Sequence, residues 1–395
     1  MDNSWTQTSL GDICMFRAGT AFPKQFQGED TGEIPFIKVS DLKHSANSLY
    51  IRHSANWVDM STVEHLKASL LHPGAIVFAK IGEGLKAERF RLVARATCID
   101  NNLMGAIPQG VNAHFLYYLM IHTGVAHLVE GSALPYLRQS DLERIPVCVP
   151  PNDEQRRIAG VLGALDDKIE SNHNLTEVIP SLIDAQIHHA LSDGSGASIP
   201  VSKLAKFVNG GAYTKGASGT GRMVIRIADL NTGPGASTIY NDIDVPGDRL
   251  AHFGDLLMSW SGSLGVYVWV REEAIVNQHI FKVIFTDFPA WLVHNRLNVA
   301  LHDFRAIAAD KATTMGHIQR KHLDETFVEV PNAKLEQLNH LCVPLWNRFI
   351  SAQLESMRLA ELRDALLPEL MSGRMRVDKA GCLVSEALDE EVADV

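Results

Sequence analysis

The stretch Pro150-Pro151-Asn152-Asp153-Glu154-Gln155 decides the fold, because a long amphipathic helix is predicted to begin there. Apolar residues follow at spacings of three, four and seven, which places them on one helical face. These residues are Ile158, Leu162, Leu165, Ile169, Ile179, Leu182 and Ile183. The Asn-Asp-Glu start supplies a capping side chain and acid in the first turn, where the helix dipole favours negative charge. About 38 residues at 1.5 Å each predict a rod of roughly 55–60 Å, so we expect a spacer.

The same arrangement returns about 180 residues later in the chain. The apolar run Val328-Glu329-Val330-Pro331 ends in a proline, as the first one does, and a second apolar helical face follows it. Its members are Leu338, Leu345, Phe349, Leu359, Leu362 and Leu366. Shifted by 180 residues, Ile158 falls on Leu338 and Leu165 on Leu345, apolar on apolar. The chain is therefore predicted to be a tandem duplication of one domain and one helix.

The duplication predicts an α+β fold, with two globular β-rich α/β domains that are each followed by a long helix. Two helices with apolar faces bury them most economically as an antiparallel pair. We therefore expect an antiparallel coiled-coil spacer with pseudo-twofold symmetry and a globular domain at each end. The predicted segments are a first domain (1–150), a first helix (151–192), a linker (193–198), a second domain (199–331), a second helix (332–373) and an acidic, disordered tail (374–395).

Charge is divided unevenly along the 395 residues. The net charge of −10 arises on the helices and the tail, since residues 151–196 carry −5 and 332–395 carry −4. The globular segments are close to neutral, with −1 for residues 1–150 and 0 for 197–331. A neutral domain can still present a basic face, so the total charge does not exclude DNA as a partner.

The cysteines and the apolar runs indicate a cytoplasmic protein. The five cysteines are scattered, with no CxxC pair, which favours a reducing compartment and argues against a structural zinc site. The first residues do not read as a signal peptide, and no run of about 18 apolar residues occurs. We therefore expect neither export nor a membrane-spanning segment.

Nucleic-acid contacts are the chemistry that the polar residues favour. Each repeat has basic and polar residues near glycine turns, and arginine and glutamine can distinguish guanine and adenine edges, whereas lysine and threonine suit phosphates. By alignment of the repeats, Tyr136 and Arg138 correspond to His317 and Gln319. The candidate DNA-binding residues are Lys86, Arg89, Arg91, Arg95, Tyr136, Arg138, Tyr213, Lys215, Arg222, Thr314, His317, Gln319, Arg320 and Lys321.

Catalytic patterns were sought and each has a simpler interpretation. The chain has neither an Asn-Pro-Pro-Tyr methyltransferase pattern nor a Walker lysine, and the glycine-rich loop at 210–221 fits a surface loop. His188 and His189 are adjacent on a helix and cannot face one metal together, so no metal site is predicted. Asp166 and Asp167 are interpreted as a solvated or partner-facing edge of the helix.

The chain resembles the DNA specificity subunit of type I restriction–modification systems over essentially its full length. The resemblance rests on Leu10-Gly11-Asp12, on the glycine-containing strands near Gly74 and Gly254, and on the two pre-helix blocks ending at Gln155 and Gln337. No single motif is very specific, but the duplicated order is. The second block departs from the pattern because it lacks the double proline.

The resemblance implies a non-catalytic subunit with two target-recognition domains, each reading half of a split, asymmetric DNA site. It also implies partners, namely adenine methyltransferase subunits, two in number, and restriction or translocase subunits. S-adenosylmethionine, Mg²⁺ and ATP would belong to those partners and not to this chain. Because Ser259-Trp260-Ser261 replaces Ala79-Lys80-Ile81, the domains should read different sequences. A structural adaptor with no role at DNA is the competing interpretation.

Overall fold

The computed structural model describes residues 5–128, 135–310 and 316–389. The chain divides into two compact units. Unit 1 comprises residues 1–171 and 357–395, and unit 2 comprises residues 172–356. Each unit therefore contains one globular domain together with a part of each long helix.

Unit 1 contains three sheets. Its strands are β1 (Thr6–Ser9), β2 (Cys14–Ala18), β3 (Ile34–Ile37), β4 (Tyr50–Ile51), β5 (Trp57–Val58), β6 (Leu70–Leu71), β7 (Ile76–Ala79), β8 (Arg91–Val93), β9 (Thr97–Ile99), β10 (Leu103–Pro108) and β11 (Pro146–Val149). Its helices in the same part of the chain are α1 (Leu10–Ile13), α2 (Met60–Leu66), α3 (Glu83–Lys86), α4 (Ala113–Thr123), α5 (Gln139–Glu143) and the start of α6 (Asn152–Leu191). The sheets have the orders β1-β11, β2-β10-β7-β8-β4 and β5-β3-β9-β6.

Unit 2 repeats the main elements of this plan. Its strands are β12 (Ala197–Pro200), β13 (Ala205–Asn209), β14 (Arg222–Ile225), β15 (Ile239–Asn241), β16 (Leu250–Ala251), β17 (Leu256–Ser259), β18 (Gly265–Val268), β19 (Ala274–Val276), β20 (Ile280–Phe285) and β21 (Phe327–Val330). Its helices are α7 (Ile227–Thr232), α8 (Ala290–Asp310), α9 (Arg320–Glu325) and, up to residue 356, the first part of α10 (Leu335–Met371). The orders β12-β21, β13-β20-β17-β18 and β15-β14-β19-β16 match those of unit 1, except that β4 adds a fifth strand to the central sheet of unit 1; the shared order confirms the duplication.

The central strands are buried on both faces. All four residues of β7, from Ile76 to Ala79, are buried, and so are all four of β17. Such runs lack the alternation of a half-exposed strand, because each strand lies between its neighbours and packs on both sides. The two units share one parallel pair of strands, β3 with β9 and β14 with β19, and in unit 1 β4 is also parallel to β8.

In unit 1 the first half of α6 packs against the second half of α10. Ile158, Leu162 and Leu165 share one core with Leu359 and with Leu366, and Ile169 and Leu362 pack on its edge. In unit 2 the later residues of α6 pack against the earlier residues of α10: Ile179 lies in a core with Leu338 and Phe349, while Leu345 is partly buried beside it. Early residues of one helix thus meet late residues of the other, as antiparallel packing requires. The predicted fold class is confirmed.

The prediction that Leu182 packs on the buried face of α6 is wrong. Its side chain is 46% exposed, whereas its neighbour Ile183 is 3% exposed and lies in the core. Adjacent residues of a helix point about 100° apart, so Leu182 and Ile183 cannot both lie at the centre of one buried face. The core of α6 continues through Ile183 and Ile187.

Asp166 is buried and does not form the solvated edge that was predicted. Its carboxylate accepts hydrogen bonds from the Tyr118 hydroxyl at 2.6 Å and from Arg363 Nη1 at 2.7 Å. These three residues come from α4, α6 and α10, so one polar cluster joins the domain of unit 1 to both helices. Burial of a carboxylate is tolerated when it is paired and hydrogen-bonded. Asp167 is exposed, as predicted.

The tail and the linker are more ordered than the sequence predicted. Residues Val377–Asp389 form a helix, α11, so the prediction of disorder is wrong for them. The acidic composition concealed an apolar stripe: Val377, Ala380 and Val384 pack into the core of unit 1. Residues 197 and 198 of the predicted linker belong to β12, which pairs with β21. Within the described residues, no helix is long and apolar enough to cross a membrane.

The motifs that opened the sequence argument have structural roles in unit 1. Asp12 caps the turn after β1 by accepting from the Ser9 amide at 3.0 Å and the Ser9 hydroxyl at 2.6 Å. Gln155 is 3% exposed and clamps two elements together. Its amide donates to the Pro150 carbonyl at 2.9 Å, and its oxygen accepts from the Asn112 amide at 2.9 Å. The clamp fixes the start of α6 against the start of α4.

Candidate nucleic-acid interface

Three loops converge at one edge of the central sheet in unit 1. The segment after β7 lies between two others, because the Lys80 amide donates to the Asn102 carbonyl at 2.9 Å and the Lys80 carbonyl accepts from the Leu137 amide at 2.9 Å. An isolated bridge joins Ile81 to Tyr136. We call residues 80–82, 100–102 and 135–138 loop cluster 1.

The same backbone arrangement occurs in unit 2. The Trp260 amide donates to the His279 carbonyl at 3.2 Å, and the Trp260 carbonyl accepts from the Ile318 amide at 3.0 Å. An isolated bridge joins Ser261 to His317. Residues 260–262, 277–279 and 316–319 form loop cluster 2. The predicted correspondence of Tyr136 and Arg138 with His317 and Gln319 is confirmed by these bonds.

Two pairs of glycines make the clusters possible. Gly82 and Gly262 turn the chain at φ values of +76° and +65°, a region that favours glycine. Gly19 and Gly210 lie under the loops, where a Cβ atom would be 1.9 Å from the Asp100 carbonyl oxygen and 2.2 Å from the Asn277 carbonyl oxygen. The backbone is therefore constrained identically in both units.

Apart from the shared glycines Gly82 and Gly262, the paired residues on this backbone differ. Cluster 1 presents Lys80, Ile81, Asn101, Asn102, Tyr136 and Arg138, and cluster 2 presents Trp260, Ser261, Gln278, His279, His317 and Gln319. In cluster 2 the Ser261 hydroxyl lies 3.1 Å from His279 Nδ1, and the Trp260 and His279 rings are 5.3 Å apart. The buried Trp260 indole N–H has no acceptor among the described residues. Polar groups on a rigid, repeated backbone are suited to recognising a ligand of variable sequence.

Tyr136 and Arg138 are the predicted residues of unit 1 that lie in a loop cluster. Arg138 Nη2 donates to the Tyr136 hydroxyl at 3.0 Å, and its guanidinium carbon lies 5.7 Å from the centre of that ring. Lys86 pairs with Glu83 at 2.8 Å on the short helix after the Gly82 turn. Arg89 is half-buried between that helix and β8.

Arg91 and Arg95, which were predicted to bind DNA, lie outside loop cluster 1. Arg91 donates to the backbone carbonyls of Phe90 and Leu42 and to that of Asn47, and burial lowers its pKa. It therefore supports the interior of unit 1 and is unavailable to a ligand. Arg95 stacks over Trp57 at 5.1 Å, on a strand of the other sheet.

The predicted residues of unit 2 divide in the same way. His317 and Gln319 belong to cluster 2, and Lys215 is exposed on the glycine-rich loop. Arg222 is tied to Glu273 at 3.0 Å and to the Ile243 carbonyl at 2.9 Å, and Tyr213 accepts a hydrogen bond from Arg249 at 3.0 Å. Both are thus engaged in holding the loop. Thr314 lies outside the described residues.

A basic groove of about 380 Å³ lies beside α9 in unit 2. Lys203, Lys206 and Arg320 line it together with Asp287 and Asp324. Arg320 Nη2 donates to the Phe207 carbonyl at 3.1 Å, while the two lysines are exposed and form no ion pair within the described residues. The remaining predicted residue, Lys321, lies 3.9 Å from Glu325. The groove can accept the negative charge of a phosphate backbone.

The repeat alignment shows that this groove has no basic counterpart in unit 1. The strands β2 and β13 align residue for residue, so Lys203 and Lys206 correspond to Asp12 and Met15. Arg320 follows Gln319 as Gln139 follows Arg138. A groove lined by three basic residues at this position is therefore a property of unit 2.

Burial raises the pKa of the Cys14 and Cys98 thiols to about 12, so they remain protonated and unreactive at neutral pH. Across residues 5–128, 135–310 and 316–389, no group of three or more His, Cys, Asp or Glu residues is arranged to hold a metal ion.

Sequence reasoning missed several members of the clusters and of the groove. Lys80 lies next to Asn102, and in the other unit Trp260 lies next to His279, only because loops that are distant in sequence pair with each other. The signal that could have found them was the alignment of Gly262 with Gly82, since the residues before each glycine differ in chemistry. Lys203 and Lys206 resembled ordinary exposed lysines near the start of the repeat.

The first half of the chain is similar to a known protein family. Residues 3–181 match the family model of the type I restriction modification DNA specificity domain. The chain is 26% identical over 185 residues to the type I restriction enzyme MjaIX specificity subunit of Methanocaldococcus jannaschii. That alignment covers 46% of this chain and 42% of the relative, so it spans less than half of each protein.

The fold extends the likeness over the whole chain. A crystal structure of the type I restriction-modification system S subunit from M. genitalium aligns with 94% of this chain and 97% of its own, at a TM-score of 0.56. The sequence identity is 14%, so this comparison concerns the fold alone.

Proposed function

We propose that this chain is the DNA sequence-specificity subunit of a type I restriction–modification complex, because residues 3–181 match the family model of the type I restriction modification DNA specificity domain. The observation that carries the proposal is the repetition of one loop backbone in two units with different polar side chains on each. In this function each unit reads one half of a bipartite, asymmetric DNA site, and loop clusters 1 and 2 contact the bases.

The division of labour within such an interface follows from the chemistry of the side chains. Arginine, glutamine and asparagine in the clusters can form paired hydrogen bonds with base edges in the major groove. Lys203 and Lys206 beside cluster 2 suit the phosphate backbone, where contacts position the protein without reading sequence. Arg91 is excluded from this role because the backbone carbonyls of unit 1 engage it.

The chain acts in this proposal as a non-catalytic subunit. It positions adenine methyltransferase subunits, two in number, and restriction or translocase subunits on DNA, and it does so in the cytoplasm. S-adenosylmethionine, Mg²⁺ and ATP are assigned to those partners. The acidic helices α6 and α10 are the surfaces that we expect the methyltransferase subunits to contact.

A salt titration of DNA binding tests the proposal. Each phosphate contact that is lost lowers the slope of log K against log salt by about 0.9, so the double variant Lys203→Gln, Lys206→Gln should lower the slope by about 2. The measurement is binding of a random-sequence duplex to the full-length chain, with Lys24→Gln, Lys43→Gln in unit 1 as the matched control. A full-length chain that binds no duplex at any salt concentration, alone or co-expressed with methyltransferase subunits, would support the adaptor interpretation instead.

A further inference from the structure

Arg138 and Gln319 occupy the same backbone position in the two loop clusters. Each follows by one residue the amide that bonds to the central segment, Leu137 to Lys80 at 2.9 Å and Ile318 to Trp260 at 3.0 Å. Each is also the N-cap residue of a short helix, with φ and ψ of −88° and 137° for Arg138 and −104° and 159° for Gln319. Both side chains are exposed, so they leave equivalent backbones toward solvent.

The chemistry of the two side chains differs in a way that maps onto base identity. An arginine can donate two hydrogen bonds to O6 and N7 of guanine, whereas a glutamine donates to N7 and accepts from N6 of adenine. Both pairings use the major-groove edge and one side chain of similar reach. An exchange of arginine for glutamine on an unchanged backbone therefore exchanges the preferred purine.

Tyr136 prepares the arginine for such a contact. The Tyr136 hydroxyl accepts from Arg138 Nη2 at 3.0 Å, and the ring lies under the guanidinium at 5.7 Å. This bond and the ring contact restrict the orientation of the planar guanidinium. The bridge between Tyr136 and Ile81 fixes Tyr136 in turn. Ordering a long side chain before binding reduces the entropy that binding must overcome.

Resting on the proposed DNA-binding function, we propose that residues 138 and 319 are equivalent purine-selecting positions. Arg138 specifies a guanine in the half-site read by unit 1, and Gln319 specifies an adenine in the half-site read by unit 2. Tyr136 is a positioning residue that acts through Arg138. The specificity of each half-site at this base is thus set by one side chain on a backbone that the repeats share.

Reciprocal exchange of the two residues tests the inference. Full-length chain, wild type or variant, is used to select duplexes from a library with random bases, and the bound duplexes are sequenced. Arg138→Gln should change one guanine to adenine in one half-site and leave the other half-site unchanged. Gln319→Arg should change one adenine to guanine in the other half-site. A bidentate pair discriminates by about ten- to a hundredfold, and the change in base frequency should be of that order.

Conservative variants separate selection from folding. Arg138→Lys should keep guanine with weaker discrimination, and Tyr136→Phe should weaken discrimination while retaining guanine. Ser140→Ala and Glu325→Gln alter exposed neighbours on the same short helices and should leave the selected bases unchanged. If both exchange variants select the same bases as the wild type, the inference is overturned and the proposed function stands. If the wild type selects no sequence at all, the proposed function itself fails.

Discussion

Replacing Asp166 by alanine should destabilise unit 1 far more than replacing its neighbour Asp167. The Asp166 side chain is 7% exposed and bonds at once to Arg363 and Tyr118. Its loss leaves the Tyr118 hydroxyl without this acceptor and removes the more buried of the two carboxylates that pair with Arg363, the other being Asp364. Removing one member of a buried pair costs about 3–5 kcal/mol. Because the Arg363 side chain is 29% exposed, water recovers part of this, and we expect about 3 kcal/mol. Asp167 is exposed, and its removal should change stability by about 0.5 kcal/mol or less.

The measurement must report on unit 1 by itself, because two units need not unfold together. Native-state hydrogen exchange at the amides of α4 and of the first half of α6 meets this need. The pair term follows from a double-mutant cycle of Asp166→Ala with Arg363→Met, for which we expect a coupling of about 2 kcal/mol. Equal protection in the Asp166 and Asp167 variants, or a coupling near zero, would refute the view that this cluster holds the domain to the helices.

Two further predictions concern unit 2. Ile183→Ser should lower the free energy of unfolding by about 3 kcal/mol, whereas Leu182→Ser should change it little, because Ile183 is 3% exposed and Leu182 is 46% exposed. Urea unfolding of both variants measures the difference. Equal effects of the two substitutions would contradict the assigned packing face. Burial lowers the pKa of His294 from 6.5 to about 4, so the folded state favours the neutral ring. Stability should therefore be complete above pH 6.5 and should fall by about 3 kcal/mol as the pH drops toward 4, with His294→Phe removing this fall; a wild-type and variant pair with the same pH profile would argue against it.

The periodicity of the apolar residues was sufficient to predict the helices and the duplication. A helical face that buries Ile158, Leu162 and Leu165 must recur at helical spacing, and the second copy recurs 180 residues on. The repeat alignment likewise predicted that Tyr136 and Arg138 correspond to His317 and Gln319. These properties are local or are copied along the chain, so they can be read in one dimension.

Tertiary structure decided what each polar residue does. Arg89, Arg91 and Arg95 are equally basic in sequence, yet backbone carbonyls from distant loops engage Arg91, and an aromatic ring on the other sheet holds Arg95. Asp166 differs from Asp167 only in the side of the helix on which it lies. The charge of a residue is fixed by its sequence, but its burial and its partners depend on chain segments that fold back from far away, and those determine whether the charge supports the core or faces a ligand.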